Sequence, residues 1–82
     1  MWYIYILRSV DHERYYVGLS ADVDRRFWEH NNGRVKKTKF YKPFQLVHVE
    51  IANTRQESRL LEKYFKSGYG REIIKEIDGE LN

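Results

Sequence analysis

The sequence predicts an α/β fold of the α+β type, in which helices flank a small three-stranded antiparallel sheet. Its predicted order is β-β-α-β-α-α, within one domain covering residues 1–82. Three observations lead to this class. The 82 residues suffice for one modest core. Three stretches have strand-like composition, and three have helical spacing of apolar residues. A sheet with helices packed on it is the simplest arrangement that buries these apolar faces.

The first predicted strand, Trp2 to Leu7, is rich in aromatic and β-branched residues. A polar turn separates it from a second predicted strand, Arg14 to Leu19, so the pair is predicted to be an antiparallel hairpin. With the turn centred on residues 10–11, Tyr5 and Tyr16 lie opposite one another and point the same way. Alternation places Trp2, Ile4 and Ile6 on one face of the first strand, and Tyr3, Tyr5 and Leu7 on the other.

The first helix is predicted to begin at Ser20 as its N-cap, with Asp22 and Asp24 in the first turn, where the helix dipole favours negative charge. It is expected to run to about Asn31. The dipeptide at 32–33, Asn-Gly, supplies a left-handed residue that ends it. Its buried stripe is predicted to consist of Val23 and Phe27.

Phe44 to Ile51 alternates as a third strand. The run from Thr54 to Glu57 matches a capping box and predicts a second helix that ends near Ser67, with Gly68 just beyond. A last short helix is predicted over residues 71–78. The predicted apolar stripe of the second helix is Leu60, Leu61, Tyr64 and Phe65, with Glu62 at its edge, and the last helix is expected to dock through Ile73, Ile74 and Ile77.

Composition narrows the functional classes. The chain has no cysteine, which excludes disulfides and thiolate zinc sites. Its opening apolar run is too short to span a membrane and lacks the pattern of a signal peptide. We therefore expect a cytoplasmic protein without a membrane partner.

The chain is basic, with a formal net charge of +3 and a pI near 9.2. The positive charge is concentrated between residues 34 and 42, where no acidic residue occurs and two aromatic residues lie among the cations. A solvated loop would have this composition, and so would a surface that binds a polyanion. The candidate nucleic-acid-binding residues are Arg34, Lys36, Lys37, Lys39 and Lys42.

The stretch from Tyr16 to His30 carries the residues that most suggest chemistry. It passes from a strand through Gly18 into a helix, and helical spacing puts Arg26 and His30 on one face of that helix. A tyrosine, a glycine, an arginine and a histidine in this order predict one wall of a site that handles phosphate.

These residues resemble the motifs of the GIY-YIG nuclease superfamily, and especially its small single-domain bacterial members. The resemblance extends from Tyr3 to about Lys66. Residues 3–5 (Tyr-Ile-Tyr) match the first tripeptide and residues 16–18 (Tyr-Val-Gly) the second. The catalytic arginine, a histidine found in many members and the metal-binding glutamate of the family match Arg26, His30 and Glu62.

The resemblance implies metal-dependent hydrolysis of DNA phosphodiester bonds. It assigns Glu62 to a divalent ion, Mg²⁺ or Mn²⁺, and Arg26 to the scissile phosphate. Tyr5 and Tyr16 are expected to position water, one of them acting as base with His30 accepting its proton. The residues do not decide which tyrosine is the base, although the resemblance favours Tyr5.

The chain departs from the family pattern in two places. Tyr3 replaces the glycine of the first tripeptide, and the asparagine that larger members carry late in the domain has no clear counterpart.

Each candidate site residue also has a structural explanation. Arg26 could pair with Asp22, and Glu62 with Lys66, as surface bridges at i,i+4. His30 would favour a helix C-terminus, and Tyr5 and Tyr16 could be ordinary cross-strand aromatics.

Three hypotheses follow. The first is a Mg²⁺-dependent DNA endonuclease domain with weak sequence specificity. The second is a DNA-binding module of the same fold with little or no cleavage. The third is a protein-interaction domain whose basic loop meets an acidic partner. Preference for branched or nicked DNA, a protein partner and self-association all stay open at this point.

Overall fold

The computed structural model describes residues 1–81 and confirms the predicted order of elements. The strands are β1 (Trp2–Ser9), β2 (Tyr15–Ser20) and β3 (Phe44–Ala52), and the helices are α1 (Val23–Asn31), α2 (Arg55–Lys66) and α3 (Gly68–Leu81). A short 3-10 helix, Lys39–Tyr41, lies in the basic loop, by which we mean residues 34–42. Within the described residues, no helix has the length and apolar character needed to cross a membrane.

The sheet is antiparallel, with β1 in the middle and β2 and β3 at its edges. The predicted register of the hairpin was wrong by two residues, because Tyr5 pairs with Gly18 and Tyr16 pairs with Leu7. Two residues is one full side-chain period of a strand, so Tyr5 and Tyr16 still point to the same face, as diagonal neighbours.

The two faces of the sheet bury different sets of side chains, as the alternation in β1 predicts. On one face, α2 and α3 close an apolar cluster of Ile4, Ile6, Val17, Val47, Phe65 and Ile74. On the other face, α1 packs over a cluster of Tyr5, Leu7 and Phe44. The register of β1 with β3 shifts between Ile6 and Leu7, and this bulge turns Val47 into the first cluster.

Helix α1 is held by polar contacts at both ends. Its N-cap is Asp22, whose carboxylate accepts a hydrogen bond from the Arg25 amide at 3.1 Å. Ser20 was the wrong N-cap, since its hydroxyl instead accepts from the Asp22 amide at 2.9 Å. At the other end Asn31 accepts from the Phe44 amide at 2.6 Å, and Gly33 takes the predicted left-handed conformation. The contacts between Asn31 and Phe44 fix the end of α1 against the start of β3.

The predicted N-cap of α2 is confirmed, since Thr54 accepts from the Glu57 amide at 3.1 Å, while the Glu57 carboxylate accepts from the Asn53 amide at 2.9 Å and not from that of Thr54. The predicted apolar stripe of this helix is too wide, however. Only Phe65 is buried, Leu61 is half-buried, and Leu60 is 69 % exposed. Helix α3 approaches the end of α2 closely, since a Cβ at Gly70 would lie 2.0 Å from the Tyr64 carbonyl oxygen.

Helix α3 is longer than predicted and begins directly at Gly68. Ile73, Ile74 and Ile77 pack on the apolar cluster, as expected. Asp78 joins α3 to the hairpin, because its carboxylate lies 3.0 Å from Arg8 Nε and accepts from the Tyr15 hydroxyl at 2.6 Å. These contacts belong to the α3 side of the sheet and serve to dock the helix.

Candidate active site

Three buried polar side chains form a hydrogen-bonded row, which we call the polar chain. It runs from the centre of the sheet, through α1, to the basic loop. The Tyr5 hydroxyl lies 3.0 Å from His30 Nε2, and His30 Nδ1 lies 2.8 Å from Thr38 Oγ1. Tyr5, His30 and Thr38 are all buried. Burial of three polar side chains is tolerated here because each one has a hydrogen-bond partner.

Gly18 explains how a tyrosine fits at the centre of this sheet. A Cβ on Gly18 would lie 2.3 Å from Tyr5 Cζ and 2.4 Å from its hydroxyl oxygen. The Tyr5 ring therefore lies directly over the backbone of β2, in space that only a glycine leaves open. The Tyr16 ring completes the group, with its centroid 6.2 Å from that of Tyr5 and 4.7 Å from that of His30.

Arg26 lies at the exposed rim of this group. Its side chain is 35 % exposed, and Nη1 donates to Glu29 Oε1 at 2.8 Å. Arg25 approaches the other oxygen of the same carboxylate at 3.6 Å. The alternative considered for Arg26, a pair with Asp22, does not form, because the Asp22 carboxylate caps the helix instead. Glu29 is three residues from Arg26, a spacing that also places two side chains together on a helix.

The pKa values describe a site that is uncharged at its buried end. Burial lowers the pKa of His30 to about 4, and the positive charge of Arg26 adds to that effect. Burial also raises the pKa of the Tyr5 phenol, although the neighbouring Arg26 guanidinium opposes the shift. At neutral pH His30 is therefore neutral and Tyr5 keeps its proton. Glu29 is ionised, since its hydrogen bond from Arg26 lowers the pKa of the carboxyl.

All five basic residues predicted to bind nucleic acid lie in the loop between α1 and β3, where Lys36, Lys37 and Lys39 are exposed. The loop begins directly after α1 and is tied to the polar chain through Thr38. Phe40, within this loop, is 81 % exposed, and the Arg34 guanidinium lies over the Trp28 ring at 5.5 Å. The loop therefore presents cations and aromatic surface beside the site.

Glu62 stands apart from the other four candidates. It follows Leu61 on α2, which packs on the Ile4 and Ile6 face, whereas Arg26 and His30 belong to α1 on the opposite face. Its side chain is 23 % exposed, and Lys66 Nζ lies 3.2 Å from Oε2. Among residues 1–81, no hydrogen bond or ion pair joins Glu62 to the tyrosines, Arg26 or His30.

The side chains available as metal ligands limit the kind of ion that this protein could bind. The described residues contain no group of three or more His, Cys, Asp or Glu side chains placed to bind a metal. A site built on one carboxylate must take its remaining ligands from water and substrate phosphate. Mg²⁺ is commonly bound in that way, so Glu62 fits such an ion and does not fit a fully protein-ligated one.

Sequence reasoning missed two residues of the site. Thr38 lies in a run of lysines, and nothing in its local pattern marks it as a partner of His30, eight residues earlier. Glu29 carried a usable signal, because its i,i+3 spacing from Arg26 predicts an ion pair as readily as the i,i+4 spacing from Asp22 does.

Comparison with known proteins identifies a family and several relatives. Residues 1–76 match the family model described as the GIY-YIG catalytic domain. A UPF0213 protein of Haloquadratum walsbyi is 44 % identical over 79 residues, which cover 95 % of this chain and 86 % of that protein. The UPF0213 protein YazA of Bacillus subtilis is 32 % identical over 65 residues, or 78 % of this chain and 65 % of that one.

A solved structure has a similar fold over most of both chains. The solution NMR structure of a UPF0213 protein from Bacillus halodurans is 32 % identical in sequence and superposes with a TM-score of 0.57. The match covers 96 % of this chain and 87 % of that one. With its family model, its relatives and its fold in agreement, the chain belongs to the GIY-YIG nuclease domain family.

Proposed function

We propose that this protein is a divalent-metal-dependent endonuclease that hydrolyses phosphodiester bonds in DNA. One observation carries the proposal: Tyr5, Tyr16, Arg26 and His30 come from three different elements and gather on one face of the sheet. Each of the four has a local structural explanation when taken singly. Their convergence beside a basic loop, in a chain of this family, supports a common role in chemistry.

Arg26 is the proposed phosphate ligand. Its planar guanidinium can present two parallel N–H donors to two oxygens of a phosphate. The Nη1 contact with Glu29 holds the plane of the group at the rim of the site and occupies one of its five N–H donors. Positive charge held where negative charge develops on the phosphorus oxygens stabilises the transition state.

Tyr5 and Tyr16 are proposed to position and activate the attacking water. We favour Tyr5 as the base because its hydroxyl contacts His30 and lies in the field of Arg26. A buried phenol is a weak base in the free protein. Its proton must therefore leave after the substrate and the metal have changed the local charge.

His30 is proposed to accept the Tyr5 hydrogen bond and so orient the phenol oxygen. This requires the tautomer with the proton on Nδ1, which then donates to Thr38 while Nε2 accepts. Thr38 can support that tautomer because its own hydroxyl has the Val35 carbonyl oxygen within 3.4 Å as acceptor. The low pKa of His30 makes it an orienting group first and a proton acceptor only once the site is loaded.

Glu62 is the proposed protein ligand for Mg²⁺ or Mn²⁺. To bind the ion, its carboxylate would exchange the contact with Lys66 for the metal. When bound, the ion supplies Lewis-acid stabilisation of the leaving oxygen. The basic loop is proposed to hold the DNA backbone, with weak sequence specificity because a module of this size covers roughly 600–1,000 Å².

A nicking assay on supercoiled plasmid with Mg²⁺ or Mn²⁺ tests the proposal. Arg26→Ala and Glu62→Ala are each expected to lower the rate at least about 100-fold, because each removes a charge that acts on the reacting phosphate. Both side chains are partly exposed, so the fold is expected to survive. Arg25→Ala and Glu72→Ala are the matched controls, since both side chains lie well out in solvent.

A binding module without cleavage is the second candidate. One observation favours this alternative: Glu62 and the two tyrosines, Tyr5 and Tyr16, belong to opposite faces of the sheet. Wild-type protein that binds DNA in a salt-dependent way but never nicks it would establish this alternative. Protein that has no affinity for DNA even at low salt would remove both and favour an acidic protein partner.

A further inference from the structure

Four basic residues on α2 form a surface to which the proposed function gives no part in binding DNA, and one of them, Lys66, contacts Glu62. Arg55, Arg59 and Lys63 are spaced four residues apart, and Lys66 follows three residues later, so helical geometry brings all four to one side. We call this set the α2 stripe. All four residues are exposed, and the buried Ser58 and Phe65 face the sheet.

The charge of the α2 stripe is not balanced within its own helix. Helix α2 has more basic than acidic residues, whereas α3 has more acidic than basic ones. Glu57 is engaged at the helix start, where it accepts from the Asn53 amide at 2.9 Å. Glu62 contacts Lys66, and no ion pair within residues 1–81 involves Arg59 or Lys63.

The spacing of these cations is unfavourable for a helix in isolation, and the Arg55 guanidinium lies over the Trp2 ring at 5.0 Å. Like charges at i,i+4 destabilise a helix by a few tenths of a kcal/mol per pair. The stripe repeats that unfavourable spacing twice, from Arg55 to Arg59 and from Arg59 to Lys63. A row of phosphates would convert the repulsion into attraction, with release of counterions from the nucleic acid.

The position of α2 relative to the site makes one DNA molecule the natural occupant. Strand β2 is an edge of the sheet, and both helices reach it. Leu19 of β2 packs on the cluster that includes Leu61 of α2, and Tyr16 of β2 packs on the cluster that α1 covers. The edge of β2 is thus flanked by α1 on one face and by α2, with Glu62, on the other.

We propose that the α2 stripe is a second contact surface for the DNA backbone, so that bound DNA lies across the β2 edge between α1 and α2. This inference rests on the proposed function, because it assumes that DNA is the ligand of the site. It also accounts for Glu62, which would then face the substrate from the α2 side while Arg26 faces it from the α1 side.

The test measures binding of a short labelled duplex in EDTA, which prevents cleavage, over a series of NaCl concentrations. We compare wild type with Arg59→Gln/Lys63→Gln, with Lys36→Gln/Lys37→Gln in the loop, and with Arg71→Gln/Lys75→Gln on α3. Each pair removes the same net charge.

The slope of log K against log[salt] falls by about 0.9 for each phosphate that the protein no longer neutralises. The stripe and loop pairs are each expected to lower the slope by roughly 1–2, and the α3 pair to leave it unchanged. Thermal melts of all three variants check that their folds are intact.

Three results would overturn the inference. An equal weakening of binding in the stripe pair and the α3 pair would mean that only total charge matters. A stripe pair that binds like wild type, beside a loop pair that does not, would remove the second surface and leave the proposed function standing. Absence of wild-type binding would remove both.

Discussion

The two faces of strand β1 bury their side chains equally well and use that burial differently. Ile4 and Ile6 on one face, and Tyr5 and Leu7 on the other, are all at most 1 % exposed. The isoleucines pack in a cluster of apolar side chains from α2, α3 and β3. Tyr5 meets a neutral histidine and, through it, a threonine in a loop. One face therefore supplies stability, and the other holds a hydroxyl in a fixed position.

This difference has an energetic basis. An apolar face gains from the surface it removes from water, roughly in proportion to area. A buried polar chain gains little net free energy, because each hydrogen bond replaces one with water, and it is costly to leave incomplete. We call the side of β1 with Ile4 and Ile6 the isoleucine face, and the side with Tyr5 and Leu7 the tyrosine face. Substitutions on the isoleucine face should mainly lower stability, and substitutions on the tyrosine face should mainly lower the rate of DNA cleavage.

The largest expected effect on stability is on the isoleucine face. Ile6→Ala should destabilise the protein by about 2–5 kcal/mol, because it removes buried methyl groups and leaves a cavity among packed neighbours. Urea denaturation measures this change. Leu46→Ala is the matched control, since Leu46 is 40 % exposed on the same sheet and should cost much less. Similar destabilisation by both variants would show that the isoleucine face is not the main core.

The next effect is a pH dependence that belongs to the tyrosine face. The pKa of His30 falls from 6.5 unfolded to about 4 folded, so the folded state favours its neutral form. Stability from this source is complete above the unfolded pKa and is lost as the pH falls toward the folded one, by about 3 kcal/mol at most. Denaturation at a series of pH values measures it.

Two histidine variants sharpen this test. His30→Gln should flatten the change in stability across that acidic range, because the titrating group is gone. His12→Gln should leave it in place, since His12 is exposed in the hairpin turn. A decrease of stability in acid that survives His30→Gln would assign it to other groups and weaken the account of a neutral buried histidine.

Gly18→Ala tests the fit between the edge strand and the Tyr5 ring. The new methyl group would lie 2.3 Å from Tyr5 Cζ, so the ring must move. We expect a decrease of about 1–3 kcal/mol in stability from the overpacking and a much larger fractional decrease in cleavage. Gly79→Ala is the control, because open space surrounds that position in α3, and it should stabilise the helix by up to about 1 kcal/mol.

Tyr5→Phe keeps the ring and removes the hydroxyl. We expect destabilisation of about 1–3 kcal/mol, because buried His30 Nε2 loses its hydrogen-bond partner, together with a fall in cleavage rate of about 10²–10⁴-fold. Tyr3→Phe, on the same face of β1, should change neither appreciably. A Tyr5→Phe protein that cleaves normally would shift the role of base to Tyr16.

Local patterns were enough to predict most of the fold. The alternation in β1 correctly placed Ile4 and Ile6 on one face and Tyr5 and Leu7 on the other, and the Asn-Gly dipeptide at 32–33 predicted the correct end of α1. Errors arose where several local solutions compete. Ser20 and Asp22 are both good caps, and the choice between them depends on where the chain leaves β2.

The gathering of the candidate site could be predicted only in part. Family motifs named Tyr5, Tyr16, Arg26 and His30, and these four lie together on one face of the sheet. Nothing local predicted the complete burial of His30 or its contact with Thr38. The placement of Glu62 also depends on which face of the sheet α2 covers, and helix periodicity alone does not contain that information.

The sequence by itself determined which side chains share a face, because strand and helix periodicity are properties of consecutive residues. Only the tertiary structure decided the hairpin register, the neutral state of His30 and its contact with Thr38. Those features depend on desolvation and on distances between elements, and such quantities exist only after the strands and helices have packed.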